Sequence, residues 1–245
     1  MDELIDFKKK ILSDIKRVEE GRVVLYDFLD DNEGSILEDL CNRNKIPFYK
    51  YGGIIDSDRN RYLLSLYDVD NNDFKINVYR IDYNKRYYEI EHRHVLGTLM
   101  GLGIKRKTIG DIVINDKKDI YFACTEEISK FIINELEFIN KAKIELEKID
   151  YEIRNVINYE EKEILTSSYR LDGIISGVYN LSRSKSLEMI TSGLVFVNHV
   201  LNMNVSYNVS EDDEINVRHY GKFKVGNLLG NTRSGRNKIK VLIRR

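Results

Sequence analysis

Apolar residues return on a helical period at Leu4, Ile5, Ile11, Leu12, Ile15 and Val18, which predicts a helix over residues 3–20 with Gly21 as its C-cap. Leu25 to Asn42 reads as a second helical region, interrupted by the cluster Asp30-Asp31-Asn32-Glu33-Gly34. Those residues supply caps for the part that carries Ile36, Leu37 and Leu40. Pro47, the only proline, and Tyr51-Gly52-Gly53 mark a loop. From Phe74 the pattern shortens into β-prone runs at 74–83, 109–115, 120–124 and 143–149, with helices at 91–101 and 125–138. The polar segment 155–163 reads as a hinge. Beyond it Ser182 is an N-cap, Leu187, Ile190 and Leu194 form the inward face of a helix, and Gly193 ends that helix in a left-handed conformation. Val195 and Val197 alternate as strand residues, Asn198-His199 is a turn, and 214–217 leads into Arg218, His219 and Tyr220. In the tail, Ile239, Val241 and Ile243 alternate with basic residues, so one face packs and the other presents cations.

These elements predict an α+β, multidomain chain: an N-terminal α/β domain (1–72), a central domain (73–158) and a C-terminal domain (164–245). The central order βαββαβ places two helices on one face of a four-stranded antiparallel sheet, as in RRM-like domains. Tyr121-Phe122 lies on the third of its strands. Without the Lys-Gly-Phe-type spacing of an RNA-stacking strand, these aromatics are expected in the core rather than against bases. At 245 residues with 42% apolar content, the chain has material for packed cores.

Charge sharpens the picture only when it is split. The chain holds 39 basic and 40 acidic residues, yet residues 1–166 carry 27 against 34 and residues 167–245 carry 12 against 6. Nine Lys or Arg and no acid follow Glu214. A basic end on an acidic body suits a protein that meets phosphate at one end. Cys41 and Cys124 lie far apart with no CxxC spacing, so buried thiols are expected rather than a disulfide or zinc cluster. The start, Met1-Asp2-Glu3-Leu4, lacks a signal-peptide pattern and no run is long enough to cross a bilayer, so a cytoplasmic protein without membrane contact is expected.

The chemistry concentrates at the start of the helix after Ser182. Arg183 and Lys185 occupy its first turn, the unfavourable end for cations, and a phosphate would offset that because the helix terminus is itself an anion site. Arg170 adds a donor at the preceding helix, with Asp172 as a capping or Arg-orienting carboxylate. No cofactor is expected.

Arg170-Leu171-Asp172, Ser182-Arg183-Ser184-Lys185, Ile190, Gly193, Val195, Val197-Asn198, Asp213, Arg218 and Gly221 together resemble the S4 RNA-binding domain. A second block, from Glu91-His92-Arg93-His94 through Gly101-Leu102-Gly103-Ile104-Lys105-Arg106-Lys107 to Asp111-Ile112, with Gly52-Gly53 and Asp58-Arg59-Asn60-Arg61, resembles the YlmH family, also called RqcP. His94 departs from the family, where an Asp commonly follows the His-Arg pair. The resemblance implies a ribosome-associated RNA-binding factor of bacterial quality control. Such a factor helps hold peptidyl-tRNA on stalled large subunits during C-terminal tailing of the nascent chain, and an older association is with cell division. It implies ribosomal RNA and tRNA as partners, with the protein a monomer. Arg170, Ser182, Arg183, Ser184, Lys185, Asn198, Arg218, Lys222, Arg233 and Arg236 would be RNA contacts, with Lys105, Arg106 and Lys107 as a second basic contact. Lys105-Arg106-Lys107 beside Gly103 reads equally as a solvated loop.

Two other classes compete. Arg170-Leu171-Asp172 followed by Ser176-Gly177 resembles the catalytic segment of pseudouridine synthases, but those enzymes place the catalytic domain after the RNA module. Gly101-Leu102-Gly103 lacks the third glycine of a dinucleotide fingerprint. His92 and His94 would point to different sides of a helix and complete no metal set, so neither an enzyme nor a metal site is expected. An adaptor in which the acidic N-terminal part binds a protein is the remaining alternative.

Overall fold

α1 (Asp2–Glu19) packs Ile11, Ile15 and Val18, all nearly solvent-free, and ends where Gly21 takes a φ of +84°. Its buried Asp14 accepts hydrogen bonds from the Tyr26 hydroxyl at 2.8 Å, Lys10 at 3.0 Å and Arg17 at 2.9 Å. The predicted helical region from Leu25 is corrected at its start. Val24–Leu25 forms a short strand, β1, and the helix α2 runs Asp31–Asn44. The acid cluster fixes that boundary, because Asp30 and Glu33 form a reciprocal capping box. β2 (Phe48–Tyr51) and β3 (Arg61–Leu64) complete a three-stranded sheet in the order β1-β3-β2.

Next come β4 (Ile76–Tyr83), α3 (His92–Gly101), β5 (Ile109–Ile114), β6 (Ile120–Thr125), α4 (Glu126–Glu135), β7 (Phe138–Ile139) and β8 (Ala142–Ile149). They make an antiparallel sheet of order β5-β6-β4-β8-β7. The predicted helix to Phe138 stops three residues early. Phe138-Ile139 instead pairs with Lys143-Ala142 around Asn140, which takes a φ of +53°. Val95, Leu99 and Ile132 pack with Ile81, Ile109, Ile120 and Phe122 in one core. Phe122 stacks on Tyr79 at 5.7 Å, and Tyr121 is also buried, as interior aromatics.

A second, smaller core joins Phe28 and Ile54 to Val113 and Ala123, with Ile76, Val78 and Ile153 against it. The approach is tight enough to demand glycine. A Cβ on Gly110 would sit 2.7 Å from the Phe28 ring, and one on Gly53 2.7 Å from Ile76. Both cysteines are buried free thiols, with burial pushing Cys41 up to about 11 and Cys124 up to about 12.

The structure is a computed structural model describing residues 2–156, 159–232 and 235–244, and the chain forms two compact units, Met1–Val156 and Ile157–Arg245. The second unit holds β9 (Tyr159–Thr166), α5 (Leu171–Tyr179), α6 (Arg183–Thr191), β10 (Val195–Val197), β11 (Val200–Leu201), β12 (Glu214–Val217), β13 (Gly221–Asn231) and β14 (Asn237–Arg244). Its six strands run β11-β10-β12-β13-β14-β9. Much of the predicted hinge is β9, whose every residue pairs with β14. The run Glu160-Glu161-Lys162-Glu163 made it look polar, and among its apolar residues only Ile164 belongs to the core.

α5 and α6 pack on this sheet through Leu171, Ile174, Ile175, Val178, Met189 and Ile190. The inward face of α6 is Ser186, Met189 and Ile190, which corrects the expectation for Leu187, exposed at 43%. Asn198 and His199 take φ values of 48° and 66°, the two-residue turn that closes β10 onto β11. The described chain is thus a mixed α+β protein of six α-helices and three sheets.

Candidate nucleic-acid interface

The first turn of α6 is built as its sequence requires. Ser182 Oγ accepts from the Lys185 amide at 3.2 Å and lies 2.9 Å from Ser184 Oγ. Arg183 does not stay over its own helix. Its guanidinium donates to Ser167 Oγ at 2.8 Å and lies against α5, where a Cβ on Gly173 would be 3.8 Å away. Among the described residues it takes no carboxylate.

Arg170, at the N-cap of α5, is held by both oxygens of Asp172 at 3.0 and 3.3 Å. Asp172 is 5% exposed, so a fixed, buried carboxylate aims an exposed guanidinium and raises its pKa. This is the orienting role read for Asp172 in the sequence. Strand register adds a third arginine. Asn237 pairs with Thr166, so the exposed Arg236 lies at the end of the sheet from which Ser167 follows. Arg170, Arg183 and Arg236 therefore gather at one end of the second unit.

Lys185 departs from the expectation. Its ammonium pairs with Glu188 at 2.9 Å one turn along α6, which raises its pKa and draws it away from Arg183. The two first-turn cations do not close around one point. The reason is the helical spacing: residue 188 lies three positions on, on the same face.

Arg218 and Lys222 flank the turn between β12 and β13, toward the opposite end of the sheet, at least roughly 25 Å from Arg236 by strand rise. The Arg218 guanidinium covers the Phe196 ring at 5.1 Å, and Tyr220 in the same turn packs on Tyr179 at 5.3 Å. Asn198 is spent on the scaffold: its amide donates to Asp213 at 2.8 Å and accepts from the Glu214 amide at 2.9 Å. The tail presents fewer open cations than its alternation suggests, because Lys238 pairs with Glu163 at 2.7 Å and Lys240 with Glu161 at 2.5 Å. β9 supplied those acids, and its pairing was not legible beforehand. Arg233 lies outside the described residues.

In the first unit, Lys105 is exposed, whereas Arg106 turns inward to the carbonyls of Ile109 at 2.6 Å and Gly110 at 3.2 Å. Burial, with Arg59 nearby, pushes its pKa down to about 10. Lys107 pairs with Asp27 at 2.8 Å. The Asp111 carboxylate accepts from the amides of Asp58 at 2.7 Å and Arg59 at 3.2 Å, and Arg61 caps the carbonyls of Tyr26 and Phe74. Much of the 58–61 and 105–111 motif thus stitches the first unit together. No described helix is long and apolar enough to cross a membrane.

Residues 70–153 match the family model described as "Putative RNA-binding domain in YlmH". Over 225 residues the chain is 29% identical to "Ribosome-associated protein quality control protein P2" of Bacillus subtilis (strain 168), covering 90% of this chain and 87% of that protein. Among solved structures it is similar to "Cell division protein ylmH from Streptococcus pneumoniae", at 25% identity and a TM-score of 0.52 over 60% of this chain and 92% of that one.

Proposed function

Because this chain belongs to the YlmH family, we propose that it is a non-enzymatic, cytoplasmic RNA-binding factor of ribosome-associated quality control. It acts as a monomer on the large subunit, contacting ribosomal RNA and peptidyl-tRNA while the nascent chain is tailed. One observation carries the reading. Arg183 crosses from α6 to Ser167 beside the Asp172-aimed Arg170, two guanidiniums at one edge with a single carboxylate between them. Guanidiniums in that setting bind phosphate oxygens through paired donors, and phosphate contacts orient a protein on RNA without reading bases.

In this reading the second unit is an S4 domain over 164–245, extended by β9. The 73–158 region is RRM-like, supported by its strand order β5-β6-β4-β8 with two helices against one face. Residues 1–72 cover part of the opposite face. Arg170, Arg183 and Arg236 are the primary RNA contacts, with Ser182 and Ser184 beside them, and Arg218 and Lys222 form a separate contact toward the other end of the sheet. Lys185 contributes once Glu188 releases it.

The test is co-sedimentation of the purified chain with split and intact ribosomes, with and without peptidyl-tRNA. Retention on tRNA-bearing large subunits that is lost in Arg170→Ala/Arg183→Ala supports the proposal. Equal or absent retention on all particles refutes it and favours the adaptor reading, for which the cell-division name of the pneumococcal relative speaks.

A further inference from the structure

Tyr87 is exposed at 72%, more than any other large apolar or aromatic side chain described, yet it does not sit on a loose loop. It belongs to Asn84-Lys85-Arg86-Tyr87-Tyr88, the turn between β4 and α3. The Asn84 carbonyl accepts from the amides of Tyr87 at 3.2 Å and Tyr88 at 3.1 Å, and Asn84 Oδ1 accepts from the Arg86 amide at 3.2 Å. Lys85 ties the turn to the β5–β6 turn through Asp119 and the Lys117 carbonyl, and Lys118 ties back to Glu89 at 2.9 Å. Tyr83 and Ile90 anchor both flanks in the core. The backbone that carries the ring is therefore tied down by a closed set of contacts, and a ring presented on a fixed turn loses less freedom on stacking than one on a loose loop.

The surroundings indicate what that is. Lys85, Arg86, Lys117 and Lys118 stand on these two turns against Glu89, Asp116 and Asp119. The acids Glu89 and Asp119 are taken up by Lys118 and Lys85, Asp116 stands beside Lys117 without an ion pair to it, and Arg86 and Lys117 have no salt bridge among the described residues. The Arg86 guanidinium stands 5.7 Å from the Tyr87 ring centre, a cation beside a π-face. An aromatic platform flanked by cations fits a base and its phosphates. The alternative platform is closed, since Tyr121 and Phe122 are buried and Phe28 and Ile54 cover Val113 and Ala123.

We propose that the Lys85-Arg86-Tyr87-Tyr88 turn is a second RNA contact, at which an unpaired base stacks on Tyr87 while Arg86 and Lys117 meet the adjoining phosphates. The proposal rests on the reading of the chain as RNA-binding, and its residues are separate from the α5–α6 edge. The experiment compares the full wild-type chain, Tyr87→Ser and Tyr87→Phe by fluorescence anisotropy, using single-stranded oligoadenylate and a blunt RNA duplex of equal length. Tyr87→Ser is expected to weaken oligoadenylate binding about tenfold, leave the duplex within about twofold, and be rescued by Tyr87→Phe, which keeps the π-face. Unchanged oligoadenylate affinity in Tyr87→Ser overturns the stacking site and leaves Tyr87 to a protein partner. Wild-type binding to the duplex alone overturns it while RNA binding stands, and wild-type binding to neither probe overturns both readings.

Discussion

Replacing Gly110 by alanine tests how the two halves of the first unit are joined. The added Cβ would lie 2.7 and 2.9 Å from Cε1 and Cζ of Phe28 and 3.0 Å from the Ala123 methyl, and both neighbours are fully buried. Neither can swing into solvent. The Phe28 backbone is fixed on both sides, its amide donating to the Lys107 carbonyl at 2.9 Å and its carbonyl accepting from Arg59 at 2.9 Å. Relief requires β5 to move from Phe28, and overpacking of this kind costs about 1 to 3 kcal/mol. For a unit of this size the melting temperature should drop by roughly 2 to 12 °C. Gly97→Ala is the matched control. It lies exposed in the middle of α3 with nothing within 4 Å of an added Cβ, so helix propensity alone should stabilise it by about 0.5 to 1 kcal/mol. Differential scanning calorimetry of the full chain reads both. A Gly110→Ala chain that melts at or above wild type would refute the packing argument, whatever Gly97→Ala does.

Further outcomes follow from the same structure. Burial pushes the Asp14 carboxyl up, but hydrogen bonds from Tyr26, Lys10 and Arg17 outweigh it and hold the folded pKa below the usual 3.8. A depressed acid stabilises above its unfolded pKa and loses that contribution as pH falls through the folded one. Asp14→Asn should therefore destabilise the chain at neutral pH, and the gap to wild type in urea melts should close below about pH 4; a gap that stays constant to pH 2 would count against the assignment. Lys240→Ala should change RNA affinity less than twofold, because Glu161 already holds that ammonium, and a loss matching that of Arg183→Ala would contradict it. The Tyr87→Ser comparison above is the independent test of the first unit.

Much of the fold was legible because local signals agreed. The Asp30/Glu33 capping box, the Asn198-His199 turn and Ser182 as N-cap each mark an element end by chemistry that needs only nearby residues. What failed was long-range. β9 looked like a hinge because its stability comes from β14, over seventy residues away, and from lysine–glutamate pairs that a linear reading counts as solvated charge. Leu187 and Met189 could not be ranked by period alone, since either completes an apolar stripe with Ile190. At the candidate interface Arg170, Asp172 and Arg183 stood out as residue types in a pattern. That Arg183 would reach Ser167 and Lys185 would turn to Glu188 depends on side-chain paths that spacing does not encode. Tyr87 went unmarked for a related reason: an exposed tyrosine becomes informative only when its turn is seen to be tied down.

Phosphate binding at the edge shared by Arg170 and Arg183 decides whether the chain acts on RNA as proposed. The direct measurement is the salt dependence of RNA affinity for wild type and Arg183→Ala. Each phosphate contact contributes a slope of about 0.7 to 0.9 in log affinity against log salt, so the variant should bind more weakly and its slope should be shallower by about that amount. Parallel lines for the two proteins, at any affinity, would mean that Arg183 touches no phosphate.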